Sequence, residues 1–153
     1  MLDRRAFMIG LVVAPAGARL ALATPGMTVF KDPNCGCCDA WVDHVRAAGL
    51  AALVRSEVRM DMVKAQLGVP SDLVSCHTAL IDGYVVEGHV PVETIVTVLR
   101  ERARLSGIAV PGMPIGSPGM EIPGRAPEPF DVVGFAADGT RRVVAAYPGG
   151  YRR

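Results

Sequence analysis

The cysteines of this chain are concentrated in one short segment. Three of the four, Cys35, Cys37 and Cys38, lie in the run Cys-Gly-Cys-Cys, and the fourth, Cys76, stands beside His77. A disulfide between the neighbours Cys37 and Cys38 would close a strained ring, whereas Cys35 and Cys38 have the C-x-x-C spacing of redox-active pairs. The pattern favours a metal site, with a thiol–disulfide redox site as the alternative and two structural disulfides as the least favoured interpretation.

The cysteine segment lies at a predicted strand-to-helix junction. The apolar run from Met27 to Phe30 predicts a strand before it, and Trp41, Val42 and Val45 follow it with the spacing of one helix face. The N-terminus of a helix favours thiolate through its dipole and its unpaired N–H groups. Because thiolate is the form that binds soft metals and attacks disulfides, we expect the chemistry of the chain here.

The type of ligand indicates which metal the segment binds. Cys35, Cys37, Cys38 and Cys76 are the candidate ligands, and several thiolates together suit Cu(I), zinc or an iron–sulfur cluster. Zinc sites usually use two spaced pairs of ligands, and iron–sulfur cysteines are normally spaced more widely than a Cys-Cys neighbour pair. Adjacent thiolates can instead bridge several Cu(I) ions. The sequence therefore predicts copper, as Cu(I), with zinc as the alternative metal.

Four further residues are candidate peripheral ligands. They are two histidines and two methionines, His77, His89, Met113 and Met120. Imidazole and thioether groups both bind Cu(I). Other interpretations stay open, because a histidine often bonds local backbone and a methionine often fills a gap in a core.

The first 23 residues have the pattern of an export signal. Arg4 and Arg5 precede an apolar run from Phe7 to Val13, and Ala21-Leu22-Ala23 offers the small-x-small pattern of a signal-peptidase site. The arginine pair favours the twin-arginine route. We expect cleavage after Ala23 and a periplasmic protein, with an uncleaved membrane anchor as the alternative.

Residues 24–153 are expected to form a single domain. Their number is within the usual size range of one domain, and the mature chain should not span a membrane. The whole chain has a formal net charge of +1, and removal of the basic signal leaves it close to neutral. No basic patch with interleaved aromatic residues remains, so nucleic acid is not an expected partner.

The pattern of residues predicts the element order β-α-β-α-β-β-α, followed by a different region. This is the thioredoxin-like order, with the cysteines after the first strand, and it predicts an α/β fold. The predicted helices are Cys37–Ala48, Asp61–Leu67 and Pro91–Leu105. The predicted strands are Met27–Phe30, Leu53–Met60, Thr78–Ile81 and Tyr84–Glu87.

The last third of the chain predicts an irregular loop and a hairpin. Gly107–Arg125 is rich in proline and glycine, which argues against a helix or an inner strand. Because this stretch also carries apolar residues, we expect it to pack over the domain as a loop. Phe130–Phe135 and Arg142–Ala146 flank Asp138-Gly139 and predict a C-terminal β-hairpin.

Several separated motifs together resemble those of the CopG-type copper-resistance proteins. The resemblance covers roughly residues 27–146, and its motifs occur in the expected order. They are Cys35-Gly36-Cys37-Cys38, Ser75-Cys76-His77-Thr78, Gly83-Tyr84, Glu87-Gly88-His89-Val90-Pro91, Val110-Pro111-Gly112-Met113-Pro114 and Gly116-Ser117-Pro118-Gly119-Met120-Glu121.

The resemblance implies a thioredoxin-like fold in the periplasm and a role in copper tolerance. It also implies that Cys35, Cys37, Cys38 and Cys76 hold a cluster of copper ions bridged by thiolates, with interconversion of Cu(I) and Cu(II) as an open question. We expect either a copper-binding protein or a thiol oxidoreductase that uses Cys35 and Cys38, with Cys76 as the resolving thiol. Another periplasmic copper-handling protein is the expected partner, with the proline- and glycine-rich loop and the C-terminal hairpin as a docking surface.

Overall fold

The computed structural model describes residues 26–151. The predicted signal at residues 1–23 and its cleavage after Ala23 lie outside the described residues. Within residues 26–151, no helix combines the length and the apolar character that crossing a membrane requires.

Seven strands, three α-helices and one short 3₁₀-helix make up the described chain. The strands are β1 (Met27–Lys31), β2 (Ala52–Ser56), β3 (His77–Ile81), β4 (Tyr84–Glu87), β5 (Gly107–Ala109), β6 (Phe130–Phe135) and β7 (Arg141–Tyr147). The helices are α1 (Gly36–Ala47), α2 (Met60–Gln66) and α3 (Val92–Glu101), and the 3₁₀-helix is Ser71–Leu73. The predicted α/β class is confirmed.

All seven strands join one mixed sheet in the order β2-β1-β3-β4-β5-β6-β7. The pairs β1–β2 and β4–β5 are parallel, and the other four pairs are antiparallel. Because of these directions, the chain segments after β1, β2, β4 and β5 and the segment before β3 all emerge at one end of the sheet. The cysteine segment and Cys76 belong to this end.

The two faces of the sheet carry separate cores. On one face, α1 and α3 pack Trp41, Val45 and Ile95 against strand residues such as Val29 and Ala79. On the other face, the segment after α2 and the 3₁₀-helix cover a smaller core, whose buried members are Leu73, Val85, Ala109 and Phe135. Successive strand residues therefore serve opposite faces, as alternation requires.

The region after α3 differs from the prediction at its beginning. Gly107–Ala109 forms β5, an inner strand between β4 and β6, so the expectation that no part of Gly107–Arg125 would be an inner strand is wrong. The first proline of the region is Pro111, so β5 keeps all of its N–H groups. Gly107 fits here because a Cβ at this position would overlap the Val85 carbonyl oxygen.

Other helices and strands begin or end a few residues away from the predicted positions. Helix α3 ends at Glu101 instead of Leu105, because Arg102 adopts a left-handed conformation with φ of 47°. Strand β2 ends at Ser56 instead of Met60, and α2 begins at Met60, one residue before the predicted start at Asp61, with Arg59 at its N-cap. The predicted C-terminal hairpin, β6 with β7, is confirmed.

Candidate metal centre

The cysteine segment forms a tight turn that leads into α1. The Asn34 N–H donates to Asp32 Oδ1 at 2.8 Å, and the Cys35 N–H donates to the Asp32 carbonyl at 3.1 Å. Cys35 occupies the N-cap position with extended backbone geometry, and its side chain makes no capping hydrogen bond. The three sulfurs of the segment are therefore presented at the positive end of the helix dipole.

The four cysteine sulfurs converge although Cys76 is distant in sequence. All four Sγ atoms lie within 4.8 Å of one another. Cys37 Sγ is 3.5 Å from Cys35 Sγ and 4.0 Å from Cys76 Sγ. Cys76, a candidate ligand by its residue type, therefore lies beside the cysteine segment in space.

The four cysteines differ in oxidation state. Cys35 and Cys38 form a disulfide with a Cα–Cα distance of 5.4 Å, whereas Cys37 and Cys76 are free thiols. Two structural disulfides, the least favoured interpretation, are not formed. The C-x-x-C pair is the one that is oxidised.

A second group of potential ligands shares Cys76 with the first. Cys76 Sγ lies 3.0 Å from His89 Nε2 and 3.3 Å from His77 Nδ1, and the three ligand atoms lie within 4.8 Å of one another. The structure therefore brings both predicted histidines to the cysteines.

His89 is oriented by the loop that follows β5. Its Nδ1 lies 2.8 Å from the Pro118 carbonyl oxygen, an acceptor, so this nitrogen carries the proton. The lone pair of Nε2 then points at Cys76, which is the arrangement in which an outer hydrogen bond fixes a ligand histidine. Burial lowers the pKa of His89 despite the Pro118 hydrogen bond, which favours the neutral form.

His77 is completely buried between Trp41 and His89. Its ring centroid lies 4.4 Å from that of Trp41 and 5.0 Å from that of His89. Burial, followed by the charges of His89 and Lys64, holds the pKa of His77 well below its usual value. Nε2 of His77 has no hydrogen-bond partner of ordinary geometry within residues 26–151, and Nδ1 is the nitrogen that faces Cys76.

The Cys76 thiol is protonated when no metal is bound. Burial, and then the neighbouring Cys37, raise the pKa of Cys76 from 9.0 to about 12. A metal that binds here must displace the proton of Cys76, as is usual for thiolate ligands.

The loop after β5 packs on the start of α1. Trp41 Nε1 donates to the Val90 carbonyl at 2.9 Å, and Gly119 approaches the same helix. A Cβ at Gly119 would lie 2.6 Å from the Trp41 nitrogen and 3.0 Å from the Cys37 carbonyl oxygen. The region Gly107–Arg125 is therefore a packed cover at this point, as the sequence indicated, and Trp41 is buried core beside the site.

A buried lysine lies beneath the cysteine segment. Lys31 pairs with His77 across β1 and β3, and its side chain is 4 % exposed. Lys31 Nζ forms an ion pair with Asp39 at 3.1 Å. The positive charge stands on the face of the sheet that carries α1, where thiolate charge would develop.

The two predicted methionines lie in the covering loop. Met113 is about half exposed and follows Gly112, whose N–H donates to the Val74 carbonyl at 3.2 Å. Met120 is partly buried and follows Gly119. Both therefore border the site through their neighbours, and their role as ligands stays a prediction.

Sequence reasoning missed the buried charged residues around the site. Lys31, Lys64 and Glu87 are all nearly or completely buried. Glu87 ends a short apolar strand, a place where an acidic residue usually marks a solvent-exposed turn. The only available signal was that a glutamate directly preceded Gly88 and His89 within a motif.

A mixed α/β domain with cysteines and histidines gathered at a helix start is typical of metal-binding proteins. The family described as "Protein of unknown function, DUF411" matches residues 73–120. The structure titled "Copper resistance protein copG- Form 2" has 49% sequence identity and a TM-score of 0.77, and the match covers 81% of this chain and 98% of that chain. "Copper resistance protein copG- Form 1" has 50% identity and a TM-score of 0.76 over the same shares. No curated protein matches the chain.

This chain belongs to the CopG-type copper-resistance family. The expectation drawn from the sequence motifs is confirmed.

Proposed function

We propose that this protein binds Cu(I) through Cys35, Cys37, Cys38 and Cys76 and acts in copper tolerance. The observation that carries the proposal is the convergence of four sulfurs within 4.8 Å in a chain similar to copper resistance proteins. Thiolates at this spacing can each bridge two ions, which supports a cluster of several Cu(I) ions. His77 and His89 adjoin Cys76 and add imidazole donors, which also suit copper.

Loading of the full site requires reduction of the Cys35–Cys38 disulfide. Two electrons and two protons convert the disulfide to two thiols, and binding of Cu(I) then releases the protons. Before reduction only Cys37 and Cys76 are available as thiol ligands. The number of copper ions per chain should therefore depend on the reductant.

We also propose a thioredoxin-like fold and export to the periplasm. Supporting the fold are the order β2-β1-β3-β4, the parallel β1–β2 pair, and a C-x-x-C at the start of α1. Export rests on the signal pattern of residues 1–23. Fusion of residues 1–30 to a reporter that is active only after translocation tests export, and Arg4→Lys/Arg5→Lys should abolish it if the route is twin-arginine.

Copper binding is tested by anaerobic titration of reduced protein. The wild type should bind more than one Cu(I) per chain, and Cys37→Ser should lower the stoichiometry, because Cys37 is the sulfur between Cys35 and Cys76. Met62→Leu, which removes a sulfur on α2, is the control and should leave the stoichiometry unchanged. Less than one copper per chain for the wild type would contradict the proposal, and one tightly held zinc in protein isolated from cells would overturn the choice of metal.

A thiol–disulfide oxidoreductase is the second candidate function. The Cys35–Cys38 disulfide favours it, since a substrate thiolate attacking one sulfur would form a mixed disulfide and release the other cysteine. Cys37, 3.5 Å from Cys35, is within reach to resolve such an intermediate, as is the predicted Cys76. Insulin reduction by metal-free protein is the assay, and turnover at background level would leave only the copper function.

We propose that copper is exchanged with another exported copper-handling protein at the exposed end of the site. Val74 and Met113 are exposed apolar side chains on two adjoining segments there, which are joined by the Gly112 N–H bond to the Val74 carbonyl. Val74→Asp should keep the copper stoichiometry in solution but lower the copper tolerance of producing cells. Unchanged tolerance would exclude Val74 from docking.

A further inference from the structure

Three polar side chains form a closed network on the face of the sheet that α2 covers. Lys64 Nζ donates to Glu87 Oε1 at 2.6 Å and to Thr78 Oγ1 at 2.9 Å, and Thr78 Oγ1 donates to Glu87 Oε2 at 2.6 Å. Thr78 and Glu87 are completely buried and directly paired across β3 and β4, and Lys64 is 7 % exposed. The described contacts thus place an ion pair inside the protein.

A buried ion pair is weak evidence for stability, because desolvation of the two charges offsets their attraction. One further contact of the network points to another role. The N–H of Ser75, the residue directly before Cys76, donates to Glu87 Oε1 at 2.7 Å. The carboxylate therefore holds the main chain next to the cysteine that the two ligand groups share.

The network does not reach the site through a side chain. Alternation along β3 puts Thr78 on the α2 face and His77 on the opposite face with Trp41. The network is connected to the site through main-chain atoms. The Gly88 N–H donates to the carbonyl of His77, two residues after Ser75, at 2.9 Å. Glu87 thus ties the chain before Cys76, and its neighbour Gly88 ties the chain after it.

The fit around Ser75 is close on the remaining sides. Ser75 Oγ donates to the Gly112 carbonyl, and the Gly112 N–H donates to the Val74 carbonyl. A Cβ at Gly88, where φ is 72°, would lie 2.5 Å from both Cβ and Oγ of Ser75. Only a glycine permits the residue after β4 to approach the segment that carries Cys76 this closely.

We propose that Glu87, with Lys64 as its buried counter-charge, is a positioning residue for Cys76. It holds the Ser75 amide so that Cys76 Sγ stays within ligand distance of both Cys37 and His89. That Cys76 is positioned for binding copper rests on the proposed function. The position of Cys76 Sγ relative to Cys37 can be measured without copper. Thr78 donates to the other oxygen of this carboxylate, Oε2, whereas the Ser75 N–H is bound by Oε1.

Two paired variants separate the hydrogen bond from the charge. Lys64→Met/Glu87→Gln removes both charges but keeps a side-chain oxygen that can accept the Ser75 N–H. Lys64→Met/Glu87→Leu removes both charges and the acceptor. Thr78→Val is the matched control, because it removes a hydrogen bond from the same carboxylate and leaves the bond to Ser75.

The measurement without copper uses a Cys35→Ser/Cys38→Ser background, in which Cys37 and Cys76 are the remaining thiols. Equilibration with glutathione and its disulfide gives the effective concentration of Cys37 at Cys76. We expect Lys64→Met/Glu87→Leu to lower this value by about ten- to a hundredfold, the cost of leaving the Ser75 N–H without an acceptor. The glutamine pair and Thr78→Val should stay within about threefold of the background.

The measurement with copper uses chelator competition on the otherwise unaltered, reduced protein. Lys64→Met/Glu87→Leu should bind Cu(I) about ten- to a hundredfold more weakly than the wild type, as is typical when a group that supports a metal ligand is lost. Lys64→Met/Glu87→Gln should keep an affinity close to that of the wild type. If the wild type binds no copper, the proposed function fails, while the glutathione measurement still decides the role of Glu87.

Amide hydrogen exchange of the unaltered protein tests the hydrogen bond from Ser75 to Glu87 without any substitution. The Ser75 amide should exchange at least about a hundredfold more slowly than an unstructured amide. The proposal is overturned by an unprotected Ser75 amide, by an unchanged effective concentration in the leucine pair, or by an equal loss in Thr78→Val.

Discussion

Cys76 is the residue at which the two groups of potential ligands meet. Its sulfur belongs to the group of four cysteines and to the group with His77 and His89. Cys35, by contrast, belongs only to the first group and is engaged in a disulfide. The consequences of losing these two cysteines should therefore differ.

Cys76→Ser should lower Cu(I) affinity more than Cys35→Ser does, by about tenfold or more, because it breaks the link between both groups. Chelator competition on reduced protein under anaerobic conditions measures the difference. Equal affinities of the two variants would mean that the histidine group does not contribute to binding.

Gly119 is one of the residues by which the covering loop contacts α1, together with Glu121, which lies 2.9 Å from His44 Nε2. Gly119→Ala combines a φ of 86° with a Cβ placed against Trp41 and Cys37, so we expect a loss of about 2–3 kcal/mol in the free energy of unfolding. Gly124→Ala is the control, since its φ is 78° but a Cβ there meets nothing within 4 Å. It should cost only about 1 kcal/mol. Urea unfolding of both variants checks the prediction, and equal losses would refute the contact argument.

At the scale of elements, β5 joins two parts of the sheet. It has only three residues, yet it pairs with β4 on one side and with β6 on the other. Two hydrogen bonds extend these ladders beyond β5. The Ser106 N–H donates to the Phe135 carbonyl, and the Val110 N–H donates to the Glu87 carbonyl. The position of the C-terminal hairpin relative to the site therefore depends on this short strand.

Gly107→Ala should destabilise the protein more than Gly134→Ala. The added Cβ at Gly107 would overlap the Val85 carbonyl oxygen, whereas at Gly134 it would meet the ends of the Leu105 and Val144 side chains, which can move. We expect losses of about 3 and about 1 kcal/mol, respectively. Denaturant unfolding measures both, and a larger loss at Gly134 would contradict the argument.

At the scale of the whole molecule, β7 closes the sheet against α3. Tyr147 stacks on Phe130 with ring centroids 4.8 Å apart, and its hydroxyl contacts Thr94 Oγ1 at 2.8 Å and Glu93 Oε1 at 3.1 Å. Burial, in the first place, raises the pKa of Tyr147 from 10.0 to about 12.

This shift predicts a loss of stability in alkali. Below pH 10 the tyrosine is protonated in both folded and unfolded chains, but between pH 10 and 12 the unfolded chain loses the proton first. The free energy of unfolding should fall across this window. Urea unfolding from pH 9 to pH 12 should show a steeper fall for the wild type than for Tyr147→Phe, and parallel curves would refute the role of Tyr147.

The sequence predicted the parts of the site that depend on residue type and local pattern. The C-x-x-C at a helix start and the packing of Trp41 followed from spacing and element order, and Cys76 was a candidate ligand by its residue type. Histidines beside the cysteines were expected only as peripheral candidates, because single-residue patterns do not say which ring nitrogen faces a ligand.

The remaining features depend on contacts between distant segments. Gly107–Ala109 was missed as a strand because three residues are too short for alternation to register. Lys64 and Glu87 were missed because burial of a charge depends on a partner 23 residues away. The orientation of His89 depends on Pro118, in a loop whose shape is set by positive-φ glycines such as Gly116 and Gly119.

The hydrogen bond from His89 to Pro118 has a consequence for the order of events during biosynthesis. All four cysteines precede β5 in the chain, whereas the loop that orients His89 lies between β5 and β6. A growing chain therefore displays its thiols before it can cover them, and an oxidant encountered in that interval would act on uncovered sulfur. Pulse-labelling with a thiol-alkylating reagent should find the cysteines more reactive in nascent chains that end before Pro118 than in chains that extend beyond β7. Equal reactivity would show that the late loop gives no protection.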